Sequence, residues 1–242
     1  MKKKYLTLLS IITVFAVVIG LIYNVGIFSS NKSENVDVNY DYEGVESIEL
    51  DVGLIDMSVV SGDKFNVHYQ GEKKLLPKFE QNGSTVRITQ RSENHFKAFG
   101  VNNVSSPSLI ITVPEGTVPK NIKFDCGLGD AVIKGVSFEE MEINCALGNI
   151  ELNDLTTQKL DIEANLGNVS LRNVDAGDID AELSMGDFEA SLVKDVNEYS
   201  YDVEISMGKG KIGGNEVSRT YKTNGQNGTI KIKSAMGNVE ID

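Results

Sequence analysis

Apolar residues in the second half of the chain recur around a Leu-Gly or Met-Gly pair, and four successive copies of that pair are evenly spaced. Two further copies follow at longer spacings. The glycines of the six copies are Gly129, Gly148, Gly167, Gly186, Gly208 and Gly237. A fixed period of about 20 residues is typical of a stacked repeat, in which a unit buries its apolar face only against its neighbours.

Seven positions of the repeat are apolar in all four regular copies. They lie seven, five, three and one positions before the glycine and two, four and seven positions after it; in the second copy they are Met141, Ile143, Cys145, Leu147, Ile150, Leu152 and Leu155. Alternation by two on each side of the glycine is the periodicity of β-strands rather than helices. Each unit is therefore predicted to be a strand, a sharp glycine corner, a second strand and a polar turn, with these apolar side chains directed inward.

The predicted fold is all-β: a parallel β-solenoid with coils of about 19 residues stacked about 4.8 Å apart. Residues 48–59 are predicted to form a degenerate first unit, residues 61–63 a turn, residues 86–88 and 109–113 further strands, and residues 91–106 a long polar loop. We expect the polar residue after each regular glycine to adopt the left-handed conformation of a tight turn. These residues are Asp130, Asn149, Asn168 and Asp187.

The N-terminus differs from the rest of the chain. Lys2, Lys3 and Lys4 precede residues 5–28, which carry no charge, and no A-x-A cleavage site follows. Because about 20 apolar residues span a bilayer, residues 1–28 are predicted to be cytoplasmic lysines and an uncleaved transmembrane signal anchor. The lysines place the N-terminus in the cytoplasm. Residues 29–44 would then be a tether and residues 45–242 one extracytoplasmic solenoid domain.

Charge follows the same division. The chain has a net charge of −12, and residues 1–32 contribute +4, so the remainder carries −16. So acidic an exterior argues against nucleic acid as a partner and against direct docking on anionic lipids.

Acidic residues concentrate on the outward positions of the strand before each glycine, where the stack would align them in two columns. They are Asp125, Glu142, Asp161, Glu163, Asp180, Glu182, Asp202 and Glu204. One interpretation is a solvated face that resists edge aggregation. The other is a binding surface for a cation or a cationic partner; calcium prefers such oxygen ligands, but the nonapeptide calcium-binding repeat is absent.

Motifs with catalytic associations occur, but in the wrong context. Residues 208–213 spell G-x-G-x-x-G without a following helix pattern, and Ser61 and Lys64 form an S-x-x-K in a turn. The two histidines, His68 and His95, have no second ligand at i+2 or i+4. The sequence therefore predicts no catalytic residues, no cofactor and no metal.

Cys126 and Cys145 occupy the same inward position of adjacent units. Stacking would bring their Cα atoms within disulfide range, but side chains on neighbouring parallel strands run parallel, which disfavours the required dihedral. Buried thiols that act as small apolar residues are the favoured interpretation, and a disulfide is the alternative.

Residues 109–114, residues 122–124 and the Gly-Asp/Asn-apolar units together resemble the bacterial "putative adhesin" family of β-repeat domains. That family includes the LiaG-like, membrane-anchored proteins of Gram-positive envelope-stress operons. The resemblance covers residues 45–242, implies a surface location, and provides no catalytic residues to carry over.

The resulting hypothesis is a non-catalytic, membrane-anchored protein of a Gram-positive cell surface that binds or scaffolds, in the envelope stress response or in adhesion. An envelope protein or a wall component would be its partner. One alternative is a carbohydrate-active β-helix enzyme, although short coils and the absence of tryptophan argue against it. Another is a self-assembling structural surface protein.

The chain ends at residues 238–242, in the middle of a unit. If this unit is the last coil, its open edge needs a cap. Lys231, Lys233 and a loop over residues 214–228 could supply one; the alternative is a homo-oligomer that pairs through this C-terminal edge.

Overall fold

The computed structural model describes residues 34–90 and 107–242, most of which lie in β-strands. No helix in these residues is long and apolar enough to cross a membrane. The predicted anchor, the polar loop over residues 91–106 and His95 lie outside the described residues.

One mixed sheet contains 19 strands. They are β1 Asn35–Asp41, β2 Ser47–Leu54, β3 Asp56–Gly62, β4 Asn66–Glu72, β5 Lys78–Asn82, β6 Thr85–Thr89, β7 Ser108–Pro114, β8 Asn121–Leu128, β9 Ala131–Lys134, β10 Phe138–Leu147, β11 Ile150–Leu166, β12 Val169–Met185, β13 Phe188–Leu192, β14 Ser200–Met207, β15 Gly210–Ile212, β16 Asn215–Val217, β17 Thr220–Thr223, β18 Thr229–Met236 and β19 Val239–Ile241. Short 3-10 helices occur at Lys73–Leu75 and Val196–Glu198.

The strands form two arms that meet at the glycine corner. The arm before the corner has the order β5-β6-β2-β8-β10-β11-β12-β18-β14-β17. The arm after it has the order β1-β4-β7-β3-β9-β11-β12-β13-β19-β15-β16. Strands β11 and β12 are long enough to belong to both arms.

The regular units stack in parallel with the predicted register. Met141 pairs with Leu160, and Leu160 pairs with Ile179, so the register shifts by one full repeat each time. The all-β, solenoid-like fold is therefore confirmed. The sheet is not parallel throughout, however, because β1, β4 and β5 at one end and β16 and β17 at the other run antiparallel to their neighbours. These antiparallel strands cover edges that an all-parallel stack would expose.

The coils do not stack in chain order. The unit of Gly237 lies between the units of Gly186 and Gly208: β18 pairs with both β12 and β14, and β19 pairs with both β13 and β15. The prediction that residues 238–242 form the end of the stack is therefore wrong. The alternative of a homo-oligomer through this C-terminal edge finds no free strand there, because β19 is paired on both sides. Strands β16 and β17, within the predicted capping loop, cap the Gly208 unit instead.

The N-terminal end has the same construction. The coil of β6 and β7 lies outside the earlier coil of β2 and β3, and the latter stacks on the Gly129 unit. The Gln90 side chain accepts hydrogen bonds from the backbone N–H of Gly53 (2.9 Å) and Leu54 (2.8 Å). Strand β1 pairs with β4, so the domain includes residues from Asn35 on, within the predicted tether.

The core consists of columns of like residues between the two arms. The apolar positions seven, five and three before the glycine, and two and four after it, are buried in all four regular units. The structure departs from the predicted burial at two places. Val193, seven positions after Gly186, is 56% exposed, and the residue directly before the glycine is not buried in any unit. Val196 is buried shortly after Val193.

Both cysteines are buried, free and opposite each other in register. The Cys145 thiol lies 3.5 Å from the carbonyl oxygen of Gly129. The neighbouring Cys145 sulfur and burial both raise the pKa of the Cys126 thiol. The favoured interpretation of two small apolar thiols therefore describes this structure.

Candidate functional site

The glycine corner is a column of close backbone contacts. The φ angles of the six repeat glycines lie between 142° and 150°, a region open almost only to glycine. A Cβ atom on Gly167 would lie 1.8 Å from the carbonyl oxygen of Gly148, and the other five glycines meet the neighbouring coil in the same way. The predicted structural role of Gly129, Gly148, Gly167, Gly186, Gly208 and Gly237 as corner residues accounts for this geometry.

A ladder of Asp and Asn side chains follows the glycines. The Asn149 side chain accepts a hydrogen bond from the backbone N–H of Asn168 at 3.0 Å, and the Asn168 side chain accepts one from the backbone N–H of Asp187 at 2.9 Å. The left-handed conformation predicted for these residues is wrong. Positive φ at non-glycine residues occurs instead at Asp154 and Asn173, on the opposite corner of the coil, as far as the described residues show.

Directly before each of the six repeat glycines, and before Ile55 in the coil of β2 and β3, a large apolar side chain stands at the surface. The alternation that points the side chains of every second preceding residue inward ends here, because the corner turns the backbone. This column therefore lies at the C-terminal ends of the strands of the first arm. In stacking order it consists of Leu54, Leu128, Leu147, Leu166, Met185, Met236 and Met207. We call these seven residues the apolar ridge.

Exposure distinguishes the apolar ridge from the core. Leu147, Met185 and Met207 are 37%, 39% and 43% exposed, and the other four members are partly exposed. The ridge is also rigid at its backbone: the carbonyl oxygens of Leu147, Leu166 and Met185 each accept a bond of 3.0 Å from the glycine N–H of the adjacent coil. Contiguous exposed apolar surface of this kind marks interaction sites on soluble domains.

Acidic residues border the apolar ridge on both sides. Three positions before the ridge, the aligned column consists of Asp51, Asp125, Asn144, Glu163, Glu182, Lys233 and Glu204. Two positions after it, the Asp/Asn ladder consists of Asp56, Asp130, Asn149, Asn168, Asp187, Asn238 and Lys209. The two borders together hold eight carboxylates against two lysines.

The eight acidic residues singled out from the sequence all lie on the outward face of the first arm, but lysines interrupt their columns. The inserted unit places Lys231 between Asp180 and Asp202 and Lys233 between Glu182 and Glu204. Lys231 Nζ donates to Asp180 Oδ2 at 2.8 Å, and Lys233 pairs with Glu182. This alternation relieves the repulsion that stacked acids would create.

Other members of the columns are paired as well. Lys123 Nζ donates to Glu142 Oε1 at 2.7 Å and lowers the pKa of that carboxyl. Asn144 donates to Asp125 at 2.6 Å, Lys159 pairs with Asp161, and Lys222 pairs with Asp202 at 2.9 Å. Glu163 and Glu204 make no ion pair with any described residue. The acidic column nearest the ridge thus keeps a net negative charge, although Lys233 lies beside Glu204.

The residues of the motifs with catalytic associations lie in strands, turns and ion pairs of the fold. After Gly208 the chain enters β15, and Gly213 and Gly214 turn it into β16. Ser61 lies in β3 and Lys64 pairs with Asp41. His68 Nε2 lies 2.8 Å from Asp37 Oδ1 and links β4 to β1. Within residues 34–90 and 107–242, no group of three or more His, Cys, Asp or Glu residues could hold a metal ion.

Sequence reasoning misses the apolar ridge because its residues obey the same alternation as the core. One signal is available: Met and Leu alone occupy this position in all six Gly-containing units, whereas the core columns also contain Ala, Cys, Val and Phe. The sequence also does not predict that Lys231 and Lys233 lie between the acidic residues, because the prediction assumes that the coils stack in chain order.

Comparison with known proteins supports the fold. A family model described as Toastrack DUF4097 matches residues 118–242, more than half of the 242-residue chain. A solved structure named "putative adhesin" from Bacteroides fragilis shares 15% identity with a TM-score of 0.50 and covers 89% of this chain and 100% of its own. A "putative cell adhesion protein" from Clostridium sporogenes shares 17% identity with a TM-score of 0.49, over 87% and 99%. No curated protein matches the sequence.

Proposed function

We propose that this chain, which belongs to the Toastrack DUF4097 family, is a non-catalytic binding or scaffold protein displayed on the outer face of a Gram-positive cell membrane. The uncharged segment over residues 5–28, preceded by three lysines, supports the anchor and its orientation. A role in envelope stress or adhesion accords with the LiaG-like resemblance and with a solved structure named "putative adhesin".

The observation that carries the proposal is the apolar ridge. Seven large apolar side chains at the surface, in register from the coil of β2 to the Gly208 unit, lose water contact only when another molecule covers them. Because the backbone beneath them is fixed by hydrogen bonds between coils, the surface is preformed and binding would cost little ordering. A rigid stack with a continuous contact line suits a protein that holds a partner.

Photo-crosslinking in intact cells tests this proposal. A benzophenone amino acid replaces Leu147 on the ridge in one strain and Val118, 56% exposed and away from the ridge, in another. We expect discrete crosslinked species from position 147 and none of the same mass from position 118. Identical patterns at the two positions, or no adduct at position 147, would show that the ridge holds no partner.

A second measurement tests the topology. External protease added to intact cells should digest the domain while a cytoplasmic marker stays whole. Protection of the domain in intact cells, with digestion only after lysis, would contradict display outside the membrane.

A further inference from the structure

We infer that the apolar ridge binds a cationic amphipathic helix. This inference rests on the proposed binding function and adds the chemistry of the partner. It is carried by three features of the described residues: the length and spacing of the ridge, the hydrogen-bonding state of the backbone beneath it, and the charge along its two borders.

The dimensions of the ridge fit a helix. Seven side chains on adjacent strands span six intervals, or about 29 Å. A helix of about 19 residues has the same length. The ridge repeats about every 4.8 Å, close to the rise of about 5.4 Å in one helical turn, whereas one face of an extended strand repeats only about every 6.8 Å. Over this length a helix makes about five turns against the seven coils, so each of its turns can place an apolar residue close to the ridge.

The backbone along the ridge excludes the other common mode of peptide binding. The ridge carbonyl oxygens at Leu147, Leu166, Met185 and Met236 already accept hydrogen bonds from glycine N–H groups of the next coil. A strand added along this line would find no free backbone partners, so β-augmentation is not available there. Contact through side chains is what remains, and the thioethers of Met185, Met236 and Met207 adapt to irregular apolar surfaces.

Charge selects a basic partner. The borders carry eight carboxylates and two lysines, and the carboxylates of Asp51, Glu163 and Glu204 have no ion pair with any described residue. A second copy of the domain packed on the ridge would bring these acidic borders together, and an anionic membrane would be repelled. A helix with an apolar face and Lys or Arg along its flanks complements both features at once.

The test uses the full-length chain in zwitterionic nanodiscs and a fluorescent peptide of about 18 residues, composed of Leu and Lys arranged as an amphipathic helix. Controls are a scrambled peptide of the same composition, a Leu/Glu peptide and empty discs. We expect saturable binding of the Leu/Lys helix, measured by anisotropy, that weakens as salt is raised. Equal binding of the scrambled or the Leu/Glu peptide would overturn the inference.

Matched variants locate the site. Leu147→Asn with Met185→Asn should weaken peptide binding by about tenfold or more, as loss of central apolar contacts does. Val118→Asn with Val193→Asn, both 56% exposed and outside the ridge, should leave it unchanged. Unchanged affinity in the ridge variant, with an intact circular dichroism spectrum, would contradict the inference.

Border variants keep the inference testable if the ridge variant fails to fold. Glu163→Gln with Glu204→Gln should weaken binding by about threefold or more at low salt and flatten its salt dependence. Glu115→Gln, exposed and away from the ridge, is the control. Unchanged affinity and salt dependence in the border variant would contradict a cationic partner.

The crosslinking and peptide experiments separate the two proposals. Crosslinking at Leu147 without any peptide binding would leave the proposed function standing and refute only the partner's chemistry. Ridge-dependent dimers would identify a second copy as the occupant and would likewise overturn the inference of a cationic helix.

Discussion

Replacing Gly167 with alanine tests the corner that builds the stack and presents the ridge. The new Cβ would lie 1.8 Å from the Gly148 carbonyl oxygen and 2.6 Å from its carbonyl carbon, both backbone atoms with little freedom to move. The φ of 150° is itself unfavourable for any residue with a Cβ. To restore an ordinary contact, the two coils must move apart by more than about 1 Å. A hydrogen bond between the coils that is lengthened by this amount is largely lost.

The magnitude follows from these terms. Backbone strain costs about 1–3 kcal/mol. Separating these two coils weakens the bonds between them, from Gly148 N to Leu166 O at 3.0 Å and from Ile150 N to Asn168 O at 2.9 Å, at about 0.5–1.5 kcal/mol each. We therefore expect the free energy of unfolding to fall by about 2–6 kcal/mol.

Gly83→Ala is the matched control, because Gly83 has a φ of 60° and no atom within 4 Å of the place where its Cβ would lie. It should cost only about 1 kcal/mol. At about 3 °C per kcal/mol for a domain of this size, thermal melting followed by circular dichroism should show losses of roughly 6–18 °C for Gly167→Ala and about 3 °C for Gly83→Ala. A loss for Gly167→Ala no larger than that for Gly83→Ala would refute the close-contact account of the corner.

Tyrosine burial, the interleaved lysines and the cysteine pair each predict a measurable change in stability. Burial raises the pKa of Tyr69 and Tyr199 to about 12, against about 10 when unfolded. Stability present below about pH 10 should therefore be lost as the pH rises toward about 12. Tyr69→Phe with Tyr199→Phe removes the hydroxyl bonds to the Glu72 and Ala176 carbonyl oxygens, but the free energy of unfolding, followed by circular dichroism, should fall less steeply with pH over that range than in the wild type; an equally steep fall would contradict this. Lys231→Glu with Lys233→Glu places like charges between two acidic strands and should lower the melting temperature in low salt and less in high salt, whereas the exposed Lys134→Glu should not; equal effects would refute the interleaving. Cys145→Ser should lower the melting temperature equally with and without dithiothreitol, and a wild-type melting temperature that falls sharply in reductant would reveal a disulfide.

The sequence pattern predicts the central coils well because each glycine fixes a local geometry. Gly129, Gly148, Gly167 and Gly186 stand in strict register, and the apolar columns around them leave only one way to bury a face. The same logic predicts residues 48–59 as a degenerate first coil, and the structure places Ile55 where the other coils have the glycine, since Leu54 pairs with Leu128.

The order of the terminal coils depends on long-range contacts that local patterns do not encode. The longer spacings from Gly186 to Gly208 and on to Gly237 show that extra chain lies between these units, but not which units become neighbours. The electrostatic hint is the pair Lys231 and Lys233, whose charges complement acids on both sides. The exposure of the ridge likewise depends on the corner itself, where a glycine φ near 150° ends the inward alternation.

The sequence predicts the candidate site only in part. It identifies the acidic columns residue by residue, but their significance changes once lysines are placed among them and an apolar line beside them. Side chains such as Leu147 and Met185 obey the core pattern in sequence and leave the core only because the backbone turns. A surface of this kind emerges from the stacking of coils rather than from any one of them.

Methyl NMR spectra of the full-length chain, labelled at Leu and Met, test the central claim most directly. On addition of the Leu/Lys amphipathic peptide, we predict chemical-shift changes concentrated at the methyl groups of the ridge, with the largest at Leu147, Leu166 and Met185. The buried Leu50, Met57 and Leu109 should stay unchanged. Shifts spread over the core, or no shift along the ridge at saturating peptide, would contradict the account.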